Sequence, residues 1–583
     1  MRKKNEKRRN RAYKNLIKEF YYKNKFNFAM ALFSQIVTAI LYVAIAFLML
    51  ITVEAMEKND IRGLIREGEF LLVILVLYLV SSLTNRKFKN QFMMHGLTRF
   101  KSYIFNKILN KSIGEYKYAT SGAVMSALYN DLGSIEINYL SGNLQIIHQI
   151  SLLMFAVLSM VYISPVLAAC VLVTSVIPLI ISFILGKRLV EREEKTSDES
   201  EGFASQVKDI LNGFITIKSF KAENEMLDVF NKQSFTLEEV KRDRRNTNDT
   251  IMIAGQISAV MMISVIFVIG QVMVYKSFLS LGAVLAFVQL SNYVIEPVQK
   301  IVPLWSNRKA ALALLEKISR LSETNEAYEL QKKNQVVMNE FQAEITLKNL
   351  SYGYEPDHNV LNHINLTFEK GKSYAIVGTS GCGKTTLLQL LLGYYNNYEG
   401  DILYDGNSLK DISFESLYNL VSVMQQNVFL FNSTIENNIT MFKNFDEDKI
   451  ERATELAGID QLIKNRGYNY DCGVGGDNLS GGEKQRISIA RCLLRETPII
   501  ILDEATAALD NIKSKEIESL ILGMDGFTKI VVTHKLDGEV LRKYDSIVVL
   551  KAGEVYEQGT FDELIKKREY FYSLYAVTRD ENE

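Results

Sequence analysis

The spacing of apolar positions divides the chain. Over residues 28–52, apolar side chains run almost unbroken. A helix needs roughly 20 such residues to cross the hydrocarbon of a bilayer, so this stretch predicts one span. Residues 137–186 contain no Asp, Glu, Lys or Arg and predict two spans, with Ser164-Pro165 as the natural turn. Residues 250–295 carry one such charge, Lys276, and predict two more, turning near 275–280. A weaker run, 70–85, supplies the sixth if its helix reaches back toward Ile61 on snorkelling flanks. After a polar stretch at 319–340 the pattern changes. Strand-like runs at 344–350, 364–368, 373–377, 498–502, 529–533 and 546–550 alternate with helical patterns, which predicts a soluble α/β domain. The expected organisation is a basic arm at 1–27, six membrane helices at 28–318, a linker at 319–340 and the α/β domain at 341–583.

Charge fixes the orientation. Residues 1–25 hold eleven Lys or Arg against Glu6 and Glu19. The run that follows is too long for a signal peptide, so it predicts a retained span. The link after the second span carries Arg86, Lys87, Lys89, Arg99, Lys101, Lys107 and Lys111. Excess cations stay on the cytosolic side, which places this link, both termini and the α/β domain there. The second long link, 187–249, is charged and helical in pattern and predicts membrane helices that continue well past the bilayer. Over the whole chain 67 basic residues balance 67 acidic ones, so charge gives no support for a nucleic-acid partner. Four cysteines, none spaced as C-x-x-C, suggest neither a disulfide framework nor a zinc site.

The chemistry sits in the α/β domain. Gly378-Thr379-Ser380-Gly381-Cys382-Gly383-Lys384-Thr385 fits the phosphate-binding loop G-x-x-x-x-G-K-[ST], between a predicted strand and a helix at 384–392 that opens with Lys384, Thr385 and Thr386. Backbone N–H groups and the helix N-terminus would cradle phosphate. Lys384 would neutralise the β- and γ-phosphates, and Thr385 would ligate Mg²⁺. Residues 499–502 then form an apolar strand ending in Asp503 and Glu504. Asp503 would hold Mg²⁺, and Glu504 would act as general base on the attacking water.

Between these lies Leu479-Ser480-Gly481-Gly482-Glu483-Lys484-Gln485-Arg486. Here the chain resembles the ATP-binding cassette (ABC) transporters, whose LSGGQ signature stands between the two phosphate-site motifs. The resemblance covers nearly the full chain. It implies an α-helical membrane bundle with long cytosolic extensions, fused to an α/β P-loop cassette with a helical subdomain. It implies further roles by position. Tyr354 matches the aromatic that stacks on adenine. Gln426 matches the glutamine that touches Mg²⁺ or the lytic water, with Gln425 as the neighbouring register. Asp510 matches the acid after the second motif, and His534 the histidine at the γ-phosphate. Ser480, Gly481, Gly482 and Glu483 would meet the ATP held by a second cassette, so a dimer is implied. The homodimer is the simplest case, because every catalytic position is intact, and a heterodimer is the alternative. Residues 115–131 and 209–220 resemble the two cytosolic loops that touch the cassettes. The chain departs from the pattern at Glu483, where the family has Gln, and at Val474, where many exporters carry Glu.

The resemblance implies an ATP-driven half-exporter of an amphipathic substrate, a small peptide or drug-like molecule, working by alternating access in a bacterial plasma membrane. A lipid flippase of the same family and an ATP-gated sensor are the alternatives, and the fused domain order argues against an importer. The short arm before the first span predicts no peptidase domain ahead of it. Polar residues within spans are costly in lipid and mark a transport path. Gln289, Asn292 and Glu296 on the sixth span are the leading candidates, and His148, Gln149 and Gln256 follow.

Overall fold

A computed structural model describes residues 13–111, 113–114, 121–322, 336–355, 358–504 and 511–580. The chain forms two compact units, one helical and one a cassette.

Six long helices build the first unit: α1 (Lys25–Glu57), α2 (Ile61–Leu109), α3 (Gly142–Ile163), α4 (Pro165–Asn212), α5 (Glu223–Tyr275) and α6 (Leu281–Ser322). Their boundaries follow local signals. Asp60 caps α2, its carboxylate accepting from Gly63 N at 3.0 Å. Ser164 is extended between α3 and α4 and accepts from Leu167 N, with Pro165 at the first helical position. Among the described residues, four stretches combine the length and hydropathy of a span: Lys25–Glu57, Val124–Ile163, Glu223–Tyr275 and Leu281–Leu321. The two weaker spans lie on α2 and α4. On α2 the apolar run is short, but Leu72, Val73, Val76, Leu79 and Val80 are each more than half exposed, as a lipid-facing surface requires. On α4 the apolar stretch Pro165–Val176 leads into a charged extension.

The extensions are long. At 1.5 Å per residue, α4 (48 residues) and α5 (53 residues) measure about 72 and 80 Å, more than twice the hydrocarbon thickness. They pair along their length through Arg244–Glu193 (2.9 Å) and through Arg192, which hydrogen-bonds Thr247 Oγ1. The segment joining them, Phe214–Phe220, buries no residue, and Phe214, Ile215 and Phe220 are 56, 80 and 79% exposed. Helical residues 13–21 insert Leu16 and Phe20 against α2, where the Phe20 and Phe100 rings stack at 4.5 Å.

The cassette holds a four-stranded antiparallel sheet, β1 (Glu344–Glu355), β2 (His358–Glu369), β4 (Glu399–Tyr404) and β5 (Asn407–Ser408), in the order β2-β1-β4-β5. Its second sheet has six strands, β10-β9-β3-β8-β7-β6: β3 (Ser373–Val377), β6 (Val421–Met424), β7 (Ile499–Asp503), β8 (Thr528–Val532), β9 (Ser546–Lys551) and β10 (Glu554–Gly559). Strands β6 to β9 and β3 run parallel, and only β10 is antiparallel. Strands β3, β7 and β8 are buried at every position, which is why each reads as an unbroken apolar run. All six anticipated strands form. Strands β4, β5, β6 and β10 were not anticipated, because they are short, half-exposed or interrupted by polar residues.

Candidate active site

The parallel sheet brings the motifs together. Strands β3, β8, β7 and β6 are neighbours in that order, so the residues that follow their C-terminal ends share one edge: Gly378–Thr386 after β3, Thr533 and His534 after β8, Glu504 after β7, Gln425 and Gln426 after β6. Ligands bind at that edge in open parallel sheets.

The phosphate loop is shaped by its glycines. A Cβ on Gly378 would lie 2.4 Å from Leu550 O, and Gly383 takes φ +103°, a conformation costly to any other residue. The helix α7 (Lys384–Leu391) starts directly behind. Lys384 is buried, and its ammonium donates to Gly378 O (2.9 Å) and Thr379 O (3.0 Å), with Cys382 Sγ at 4.0 Å. The loop's own carbonyls thus hold the cation in place beside its N–H groups. Tyr354, half exposed at the end of β1, stands edge-on to Tyr352 and Tyr395, and its hydroxyl lies 3.0 Å from Thr386 Oγ1. Its ring therefore flanks the start of α7, with one side open.

The carboxylates meet partners from three strands. Glu504 Oε2 accepts from Gln426 Nε2 at 2.6 Å, and Oε1 lies 2.7 Å from His534 Nε2. Gln425 instead donates to Tyr394 OH at 2.7 Å, so Gln426 is the residue that faces the site. Glu504 has φ +50° and donates its N–H to Val532 O at 3.0 Å. The backbone departs from the strand here and swings the side chain outward, at a cost of order 1 kcal/mol or more. Asp503 remains buried, and its Oδ1 has no hydrogen-bond partner. Burial first, then the Glu504 charge, hold its carboxyl above the usual carboxylate range, while the Thr385 hydroxyl, Lys384 and His534 oppose the rise. An orphaned buried carboxylate oxygen beside a threonine hydroxyl is the donor set of a hard divalent cation.

The signature segment makes its bonds locally. Helix α8 (Gly481–Leu494) begins with a capping box: Ser480 Oγ accepts from Glu483 N at 3.3 Å, and Glu483 Oε2 accepts from Ser480 N at 2.7 Å. The Gln-to-Glu departure is thereby absorbed by the helix N-terminus. Val474 lies in a short 3₁₀ turn and is 70% exposed. Asp510 lies outside the described residues, as do residues 115–120.

A model of the ABC transporter transmembrane region matches residues 28–298, and a model of the ABC transporter cassette matches residues 361–507. An uncharacterized ABC transporter ATP-binding protein of Bacillus subtilis, YwjA, is 31% identical over 80% of this chain and 82% of its own length. The chain belongs to the ABC transporter family. Among other relatives of this transporter, an ATP-dependent lipid A-core flippase of Legionella pneumophila is 30% identical, covering 81% of this chain and 80% of the flippase. A solved structure of a bacterial Atm1-family ABC exporter with ATP bound has the same fold. It superposes with a TM-score of 0.81 over 94% of this chain and 98% of that one, at 21% identity. The protein is thus a multi-pass membrane half-transporter of the exporter type that couples ATP hydrolysis to transport.

The membrane unit adds residues that the sequence did not single out. Gln149 Nε2 donates to Glu296 Oε1 (3.2 Å), and Lys300 Nζ donates to the same oxygen (2.6 Å). Gln289 donates to Tyr293 OH (2.8 Å), and His148 Nδ1 lies 3.1 Å from Gln35 O. Asn292 and Gln256 are exposed. Lys300, Tyr42, Tyr78 and Tyr293 had no signal of their own. Lysine at a helix end and tyrosine in a span are common, and only helix packing makes them neighbours.

Proposed function

We propose that two copies of this chain form an exporter with two ATP sites, and that alternating access carries an amphipathic molecule outward. The observation that carries the reading is Glu504 held at both oxygens, by Gln426 and His534, beside the orphaned Asp503 oxygen. Glu504 is the general base. It takes the proton of the attacking water, while Gln426 and His534 fix its orientation. Lys384 and the N–H groups of Gly381, Cys382, Gly383 and Thr385 hold the phosphates. Tyr354 carries the adenine on its open side, where ring stacking reads little of the base. Thr385 and Asp503 would hold Mg²⁺, with Gln426 as a further candidate ligand, and the metal would supply positive charge to offset that developing on the transferred phosphoryl group.

Ser480, through its hydroxyl, and Gly481 and Gly482, through the N–H groups that open α8, serve the partner's ATP. The bare apolar segment Phe214–Phe220 gives a docking tip for the cassettes, and such a patch marks an interaction surface. Two relatives named lipid A-core flippases, from Legionella pneumophila and from Desulfotalea psychrophila (29% identical), support a lipid as the alternative substrate class.

The test is Mg-ATP hydrolysis by this chain alone in lipid nanodiscs, with Glu504→Gln as control. Turnover that disappears in the variant supports a self-sufficient homodimer. Folded but inactive wild-type protein would overturn the homodimer in favour of a required second chain.

A further inference from the structure

The membrane helices hold one polar cluster that ATP chemistry leaves unused. Helices α3 and α6 meet at Gln149 and Glu296. Gln149 is 5% exposed, and its Oε1 has no hydrogen-bond partner. Both donors to Glu296, Gln149 and Lys300, fall on Oε1. The junction therefore presents two acceptors, Gln149 Oε1 and Glu296 Oε2, on hydrogen bonds made by neither. In a low-dielectric setting an unmet buried acceptor is costly, and an ionisable group inside a span is a functional site by default.

Aromatic rings stand beside it. Tyr42 and Tyr78 lie with hydroxyls 3.1 Å and ring centroids 5.5 Å apart, and Tyr42 and Tyr293 have centroids 5.8 Å apart. Tyr293 stands three residues before Glu296, on the same face of α6. Among the described residues, the cation bonded to the cluster is Lys300. Its side chain is 57% exposed and sits one turn further along α6, so it can leave Glu296 for water at little cost.

These features select a charge. A phosphate or carboxylate headgroup would face Glu296, whose side chain is 43% exposed, with one lysine already engaged, and like charges at close range repel. An ammonium, guanidinium or amidinium would replace Lys300 at Glu296, donate to Gln149 Oε1 and rest against the tyrosine faces. We propose that the Gln149–Glu296 junction, with Tyr42 and Tyr293 beside it, is where the transport path selects an amphipathic cation bearing N–H donors. This rests on the exporter reading above and narrows its substrate class against an anionic lipid.

The test uses two fluorescent probes sharing one fluorophore and alkyl chain, one ending in a guanidinium and the other in a carboxylate. Equilibrium binding to the full chain in neutral-lipid nanodiscs is read by fluorescence anisotropy, without ATP. The guanidinium probe is expected to bind at least 10-fold more tightly than the carboxylate probe. Glu296→Gln should weaken the cation about 10-fold or more and improve the anion. Lys300→Gln should tighten the cation several-fold, whereas a purely structural role for the pair would make both variants bind worse. Equal binding of the two probes, tighter binding of the carboxylate, or cation binding unchanged by Glu296→Gln would overturn the proposal. The homodimer reading fails separately. Absent Mg-ATP turnover by the chain alone would sink it and leave the binding result standing, whereas turnover without cation preference would sink only the selectivity.

Discussion

The cassette and the membrane bundle solve the same problem, bringing distant polar side chains together, by different means. In the cassette, five parallel strands lie side by side, and whatever follows the end of a strand is delivered to one edge. Gln426 and Glu504, 78 residues apart, meet at 2.6 Å because β6 and β7 pair in register. In the bundle, a side chain's neighbours depend on helix rotation and depth. Gln149 and Glu296, 147 residues apart, meet because α3 and α6 present those faces to each other. Elsewhere on the helices many charged groups pair within one turn, as in Lys241–Glu238 and Arg320–Glu316. A sheet edge turns motif order into geometry. A helix bundle does so only after packing.

Four changes would break or sharpen that contrast. The largest effect is expected at the sheet edge. Glu504→Gln should lower kcat for ATP by about 10²- to 10⁴-fold, the span for losing a positioned base, while nucleotide binding persists. Steady-state turnover and nucleotide titration check both halves. Next, at the signature, Ser480→Asp keeps an N-cap acceptor but removes the hydroxyl donor, so it should fold normally and lose most turnover. Ser480→Ala should lose turnover and also about 1 kcal/mol of cap stability, seen as a lower Tm. Equal Tm values for the two would refute the capping role.

A third change addresses the helical tip. Ile215→Ser alters a residue with no burial to lose, so Tm should hold. Substrate-stimulated turnover should fall several-fold if the tip carries force between units. The smallest effect concerns the segment that carries His534. Asp537 accepts from Glu539 N (2.9 Å) and Val540 N (3.4 Å) and pairs with Lys515 at 2.6 Å. Burial raises its pKa, but the lysine and the two backbone donors outweigh it and hold the carboxyl below the usual range. A lowered folded pKa stabilises at pH values above the unfolded one. That stabilisation disappears as pH falls through the folded value. Asp537→Asn, still a capping residue, should therefore lower Tm by about 1–2 °C at pH 7, a modest shift for a partly exposed pair, and the difference should shrink as pH falls through the carboxyl's lowered folded value.

Much of this was legible before any fold was known. Lys384, Asp503 and Glu504 were readable from the strand–loop–helix context of their motifs, Gln426 and His534 only through the resemblance to the ABC transporters, and the turns at Ser164-Pro165 and near 275–280 fell where apolar runs paused. Less was readable on the helices. Glu296 stood out as a charge at the end of an apolar run, yet its partner came from three weaker candidates of equal merit. Periodicity cannot choose among them in a helix apolar on every side. Strand β6 was missed because Val421–Met424 is too short to separate from the flanking helix by pattern, although it delivers Gln426.

The capping box at the signature carries one more consequence. Ser480 Oγ already accepts the Glu483 N–H, so the oxygen's helix-facing lone pair is occupied and its own hydrogen must point away from the helix. The cap gives the hydroxyl a direction. An anion arriving from the proposed partner site would then meet the hydroxyl's proton and not a lone pair.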